Sequence, residues 1–283
     1  MELFVTNAFT SERFGGNPAG VVPLGGGAFP PAPQMRQVAA FLRHSETVYI
    51  RRTGAEAFSA RYFTPADEVA LCGHATIAAF ATLRSERGLV CGDYTLETNA
   101  GVLRLSVGPD AIWMDMAPGR VLRTLSGTEA LPFYEALGLG REAAPETLPP
   151  CVVSAGLADL LLPVRDYAAL AAAELQRDAL RRLSETCSIV GAHLFCLGGG
   201  TYTARCRNFA PLYDINEECA TGTANAALTH YLLAQGHIRA GQTQRFLQGE
   251  AMGRPSVVLS KTDSDGRIRI GGNAIVMLAG TLR

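Results

Sequence analysis

Apolar positions in this chain come in short runs broken by Gly and Pro, several alternating with polar residues, and that pattern predicts strands more often than helices. β-like runs are read at Leu3 to Thr6, Thr47 to Arg51, Ala57 to Phe63, Tyr94 to Thr98, Val102 to Val107 and Ala111 to Met114. Helical period appears first over Pro33 to Arg43 and His74 to Arg87. The second half repeats the rhythm, with strands at Asp159 to Pro163, His193 to Gly198 and Tyr202 to Phe209, then a long helix over Thr221 to Gln235. Between the halves, Gly140 to Pro150 (GREAAPETLPP) is polar and ends in two prolines, which makes it the linker candidate. The expected domains are therefore residues 1–140 and 151–283.

The halves resemble each other locally. Arg61-Tyr-Phe63-Thr-Pro65 precedes Cys72-Gly-His-Ala-Thr, and Arg207-Asn-Phe209-Ala-Pro211 precedes Cys219-Ala-Thr-Gly-Thr. The arginine-to-cysteine spacing is 11 residues in the first frame and 12 in the second. An internal duplication follows, each half being a strand-rich unit wrapped around one buried helix. The two halves are expected to be related by pseudo-symmetry, with a cleft receiving a cysteine and a helix N-terminus from each side.

Composition narrows the chemistry. Apolar residues are 48% of the 283 and charged residues 18%, enough to bury a core. A formal charge of -1 leaves no basic field for nucleic acid. Lys261 is the single lysine, in a polar turn-like stretch, which removes P-loop NTPases, Schiff-base aldolases and pyridoxal-phosphate enzymes. The seven cysteines are odd in number and widely spaced, and the start MELFVTNAFTSERF lacks a signal-peptide pattern, so free thiols in the cytoplasm are expected. Apolar runs fall short of the ~20 residues of a membrane span. Neither CxxC nor HExxH occurs and the five histidines are scattered, so no metal is expected.

The candidate chemistry sits at the two helix starts. Gly73, His74, Ala75 and Thr76 in one half, and Ala220, Thr221, Gly222 and Thr223 in the other, leave the first backbone N–H groups approachable, a setting for a substrate carboxylate. A thiol at a helix start is expected to have a lowered pKa. Cys72 and Cys219 then form a base and an acid able to remove a proton from one face of a stereocentre and return one to the other. Cys91, Cys151, Cys187, Cys196 and Cys206 read as small buried hydrophobes. Glu46, in His44-Ser45-Glu46-Thr47 at a loop-strand junction, is a candidate general acid or base. Glu217 and Glu218 could bind an amine or tune Cys219, His74 could orient substrate or cap its helix, and Arg254 could bind a carboxylate or form an ion pair.

With these residues in view, the chain resembles the PhzF family of phenazine biosynthesis. NAFTSERFGGNPAGVV is similar to the family's DAFT and GNPAAVV start, HSETVYI carries its SET, YFTPADEVALCGHAT its E-V-x-L-C-G-H-A-T, and QGEAMGRPS lies near the end. The matches run in order from about residue 6 to 256. The resemblance implies an α+β, diaminopimelate-epimerase-like fold, cofactor-independent proton-shuffling chemistry and a homodimer. It makes Glu46 the catalytic acid/base and Gly73 and His74 a substrate-binding pair. Where the family reads E-D-P-x-T-G-S-A, this chain reads Glu217-Glu218-Cys219-Ala220-Thr221-Gly222-Thr223-Ala224. That puts Glu218 for the aspartate and Cys219 for the proline. Cys72-Gly73 and Cys219-Ala220-Thr221-Gly222 are instead similar to the cysteine pair of diaminopimelate epimerases and proline racemases.

The leading expectation is an isomerase that abstracts a proton beside the carboxylate of a small amino or hydroxy acid. As a racemase or epimerase it would use Cys72 and Cys219; as a PhzF-type allylic isomerase it would shuttle the proton on Glu46. Either way Gly73, His74, Glu218, Thr221, Gly222 and Thr223 position substrate. A non-catalytic small-acid binding protein is the other class. A cysteine hydrolase is disfavoured because His74, two positions from Cys72, is expected to be poorly placed to activate it.

Overall fold

A computed structural model describes all 283 residues, which divide into two compact units. The first comprises Met1–Asp115 and Gly271–Arg283, the second Met116–Ile270. The division precedes the Gly140 to Pro150 linker candidate. The C-terminal residues also return to the first unit, because the last strand pairs with the first.

The first unit runs β1 (Glu2–Ala8), β2 (Asn17–Pro23), α1 (Ala32–Leu42), β3 (Thr47–Arg52), β4 (Ala57–Phe63), β5 (Glu68–Val69), α2 (Gly73–Arg87), β6 (Gly92–Thr98), β7 (Gly101–Val107) and β8 (Ile112–Asp115). The second runs β9 (Arg120–Thr124), α3 (Gly127–Glu135), β10 (Cys151–Ser154), β11 (Ala158–Pro163), α4 (Tyr167–Ala171), α5 (Arg177–Cys187), β12 (Ala192–Leu197), β13 (Ala204–Ala210), β14 (Ile215–Glu218), α6 (Gly222–Ala234), β15 (Gln244–Gln248), β16 (Ser256–Thr262) and the start of β17 (Ile268–Gly272), whose last two residues count with the first unit. β18 (Ala274–Thr281) closes the chain.

Strand pairing exposes the duplication. In the first unit β1/β2 is antiparallel, β2/β3 parallel, β3/β4 antiparallel, β4/β6 parallel and β6/β7 antiparallel. The second repeats the series as β10/β11, β11/β12, β12/β13, β13/β15 and β15/β16. A parallel neighbour needs a crossover. The chain supplies α1 and α2 for the two parallel steps of the first unit, and α4 with α5, then α6, for those of the second.

α2 and α6 are the central helices. Ten consecutive residues of α2, His74 to Leu83, are buried, and nine residues of α6, so both are enclosed on every side rather than amphipathic. α2 packs on β1, β2, β3, β8 and β18; α6 packs on β9, β10, β11 and β16. Small residues let the strands come close, and the few polar ones are bonded: Thr6 to Thr82 at 2.7 Å, and Thr229 to Ser260 at 2.6 Å. Each R-x-F-x-P frame makes the same local brace. Arg61 grips Glu68 with two hydrogen bonds and lies over the Phe63 ring, while Arg207 grips Glu217 and lies over Phe209. Glu217 is thereby a structural partner. No helix is long and apolar enough to cross a membrane.

Gly191, at the entry to β12, shows how tightly the strands of the second unit are drawn: a Cβ there would meet the Phe209 carbonyl oxygen at 1.9 Å. Gly191→Ala is expected to cost about 3 kcal/mol by forcing backbone apart. Gly199→Ala, where a Cβ meets nothing within 4 Å, is expected to be near neutral. Urea unfolding of the two variants checks this.

Candidate active site

Glu46 is the last residue before β3, and its carbonyl accepts a hydrogen bond from the Gly20 N–H at 3.1 Å, which ties it to the parallel neighbour β2. The carboxylate oxygen Oε2 is buried and accepts no hydrogen bond. It lies 3.4 Å from Nε2 of His74, a ring itself only 4% exposed. Ser45 Oγ is also 3.4 Å from that nitrogen.

His74 is the second residue of α2 and Cys72 its N-cap, with extended backbone (φ -139°, ψ 119°). Because Cys72 precedes the first helical turn, its side chain folds toward the ring: Sγ is 3.3 Å from Nδ1 and 3.9 Å from Nε2. The expectation that His74 is poorly placed to act on Cys72 is therefore corrected. Inside a helix, residues two apart diverge, but an extended N-cap restores the contact. Thr76 donates to the Cys72 carbonyl at 2.7 Å and so accepts from the Tyr62 hydroxyl at 2.6 Å, which fixes the turn from below. Cys72 makes no side-chain cap bond, leaving the start of α2 without a side-chain acceptor of its own. Gly73 is not dictated by crowding, since a Cβ there would meet only Met114 Cε at 3.4 Å.

In the second unit Thr221, not Cys219, is the N-cap of α6. Cys219 lies two residues earlier, and it does not have the lowered pKa expected of a helix-start thiol. Burial, with the Glu218 carboxylate nearby, pushes it up to about 11 and outweighs the Arg254 guanidinium beside it. Gly249 permits that approach: at φ +83° it sits where a Cβ would strike the Cys219 carbonyl at 2.7 Å, and its own carbonyl holds Arg254 N–H at 3.0 Å. Thr221 Oγ1 donates to Glu218 at 2.5 Å instead of capping the helix, and Gln248 takes over the Thr221 N–H at 3.2 Å. Glu218, Thr221, Gly222 and Thr223 thus gather at one helix start. Of the cysteines read as buried hydrophobes, Cys91 is exposed and Cys187 half-buried.

Sequence reasoning missed Ser45, Gln248 and a buried polar row. His193, Asn208 and Glu218 are register partners across β12, β13 and β14, and Asp159 shares their face on β11. His193 Nδ1 donates to Asn208 Oδ1 at 3.1 Å. The ring is fully buried, and burial lowers its pKa to about 4. Asp159 is 2% exposed, and burial followed by the Glu218 charge raises its pKa to about 7. The signal in the sequence was a lone Asp inside the apolar run ADLLLP and a lone His inside AHLFCL. A hollow of about 360 Å³ lined by Pro132, Glu135, Gln176 and Arg182 contains none of these groups.

Comparison with known proteins agrees with this architecture. A model of the PhzC-PhzF family, phenazine biosynthesis-like protein, matches residues 6–280. An uncharacterized isomerase of Deinococcus radiodurans is 33% identical, with 95% of this chain and 90% of that protein aligned. A trans-2,3-dihydro-3-hydroxyanthranilate isomerase of Pseudomonas fluorescens is 27% identical over 98% of each chain. The crystal structure of a PhzF-family protein of Bacillus anthracis superposes with a TM-score of 0.88 at 22% identity, covering 100% of this chain and 99% of the other.

The polar row predicts an opposed pH dependence. Asp159 holds its proton in the folded state between pH 3.8 and about 7 while the unfolded chain releases it, so its contribution to stability falls as pH rises through that window. His193 does the reverse, its contribution falling as pH drops from 6.5 to about 4. Asp159→Asn is expected to gain on the wild type by about 4 kcal/mol between pH 4 and 7.5, from a shift of about three pKa units. Urea unfolding across that range measures it; a wild-type-to-variant difference independent of pH would contradict the buried acid.

Proposed function

The chain belongs to the phenazine biosynthesis-like family and is an isomerase; we propose that it moves a proton on a small carboxylate-bearing substrate without a cofactor, with Glu46 as the carrier. The observation that carries this reading is the Glu46 Oε2 atom, buried, without a hydrogen bond, and 3.4 Å from the His74 ring. A buried acceptor without a hydrogen bond costs stability, which is the kind of cost a fold bears at a working site, and here the nearby side chain is an imidazole.

In this reading Glu46 removes a proton next to the carboxylate and returns it to another carbon of the same unsaturated molecule. His74 orients the carboxyl group and balances its charge as the proton is taken and given. The substrate carboxylate is held by backbone N–H groups at the start of α2, around Gly73 and His74. Glu218, Thr221, Gly222 and Thr223 are proposed as further substrate-contacting groups in the second unit. The substrate class is taken from the Pseudomonas relative: a cyclic, unsaturated hydroxy- and amino-bearing carboxylic acid. A homodimer and a reducing cytoplasmic setting complete the proposal; seven cysteines with no disulfide among them fit the latter.

A second reading, a racemase using Cys72 and Cys219, draws on the 3.3 Å approach of Cys72 to His74 and the Arg254 guanidinium beside Cys219. Against it stands the upward push on the Cys219 thiol, which at neutral pH is a proton donor and not a base.

Turnover in D2O followed by proton NMR separates the two, using trans-2,3-dihydro-3-hydroxyanthranilate beside a set of small amino and hydroxy acids. Glu46→Gln is expected to lower turnover by about 10² to 10⁴-fold. Cys219→Ser is expected to stay within about tenfold, a loss on the scale of a lesser contact. The reverse ranking would replace the Glu46 reading with the cysteine pair.

A further inference from the structure

Glu46, Cys72 and His74 have a property that proton transfer does not require: one ligand atom from each lies within 4.8 Å of the other two. We propose that these three residues form a binding site for a soft divalent cation of the zinc class. A metal held there would exclude proton transfer at the same atoms.

The nitrogen–carboxylate edge of a tetrahedral site is already in place. Four-coordinate zinc with bonds of about 2.0–2.1 Å to nitrogen or oxygen and about 2.3 Å to sulfur places its N and O ligands ~3.4 Å apart and its S and N ligands ~3.6 Å apart. Here His74 Nε2 is 3.4 Å from Glu46 Oε2 and 3.9 Å from Cys72 Sγ. The carboxylate faces Nε2, whereas the thiol lies nearer Nδ1, at 3.3 Å, so a metal on Nε2 needs the Cys72 side chain to turn toward that nitrogen. Closing the sulfur edges needs small side-chain turns of Cys72 and of Glu46, which lies in the loop before β3 and is the most exposed of the three at 16%. The donor set of one thiol, one imidazole and one carboxylate suits zinc rather than magnesium or calcium, which take oxygen ligands alone. Three protein ligands leave a fourth position for water or a substrate oxygen.

Burial strengthens the case. Cys72 is 9% and His74 4% exposed, and Glu46 Oε2 accepts no hydrogen bond, so a cation entering here meets a carboxylate oxygen that no donor has to release. On binding, the Cys72 S–H bond breaks, its electron pair forms the sulfur–metal bond, and one proton leaves to solvent. The metal also takes the lone pairs of Glu46 and His74 that the isomerisation would use. Only this inhibitory consequence rests on the proposed function; metal binding does not. The spacing Cys-x-His with a glutamate 26 residues upstream matches no metal motif, which is why motif spacing points the other way.

Cobalt titration of the reduced protein tests the site directly. One equivalent of Co2+ is expected to produce a near-ultraviolet thiolate-to-cobalt charge-transfer band with intense visible bands of a four-coordinate ion, and Zn2+ should bleach both. Cys72→Ser should lose the charge-transfer band, while Cys219→Ser should keep it. A band that survives Cys72→Ser, or no saturable band in the wild type, overturns the proposal. Should Cys72→Ser fold poorly, X-ray absorption of the zinc-loaded wild type decides instead. One sulfur among nitrogen and oxygen neighbours supports the site; none, or more than one, refutes it. Zinc inhibition of turnover, reversed by a chelator, reads the dependent claim separately: intact spectra with unaffected turnover would sink the role of Glu46 and not the metal site.

Discussion

The approach of a buried carboxylate oxygen to a buried imidazole, Glu46 to His74, is the contact around which the first unit is organised. Neither group is held by its side chain alone. Glu46 is fixed by the Gly20 bond between parallel strands, and His74 by the first turn of a helix enclosed along ten successive residues. The parallel steps β2/β3 and β4/β6 require crossovers, and the second crossover is α2 itself. Topology therefore delivers a helix start, and a loop-strand junction delivers the carboxylate. Close packing of Ala, Gly and Thr around α2 keeps the helix from sliding and loosening the contact.

Duplication supplied the same frame twice, and the copies then diverged in what they bury. The register row Val21, Val48, Tyr62 and Val69 of the first unit corresponds by strand order to Leu161, His193, Asn208 and Glu218 of the second. Where the first row is mostly aliphatic, the second is polar and ends on Glu218, which holds Thr221. Buried polar groups of this kind are costly unless bonded, and most are: Asn208 to His193, Asn225 to Gln248, Gln248 to the Glu218 carbonyl. The row stiffens the approach to α6 through hydrogen bonds, where the first unit uses packing.

Much of this was legible in the residues. Strands such as Ala57–Phe63 and helices such as Gly73–Arg87 lie where periodicity placed them, because alternation and small-residue helical runs report burial directly. The repeat was visible in R-x-F-x-P, and its brace is present in both units. β2 was not legible, since NPAGVVP is short and carries two prolines, nor was β9, all five of whose residues are exposed. The domain boundary escaped because a C-terminal strand pairing with β1 leaves no local mark. At the site, residue types pointed to Glu46, Cys72 and His74, but their convergence depends on an extended N-cap that spacing does not encode. Cys219 was misjudged because its burial, not its distance from a helix, sets its pKa.

The central claim is that one imidazole serves both the Glu46 carboxylate and the Cys72 thiol, and nitrogen-15 NMR of the His74 ring tests it most directly. With the other four histidines as internal references, Glu46→Gln should move the Nε2 resonance and Cys72→Ser the Nδ1 resonance, because each substitution changes the partner of one nitrogen. A His74 ring whose two nitrogens respond to neither substitution would contradict the account.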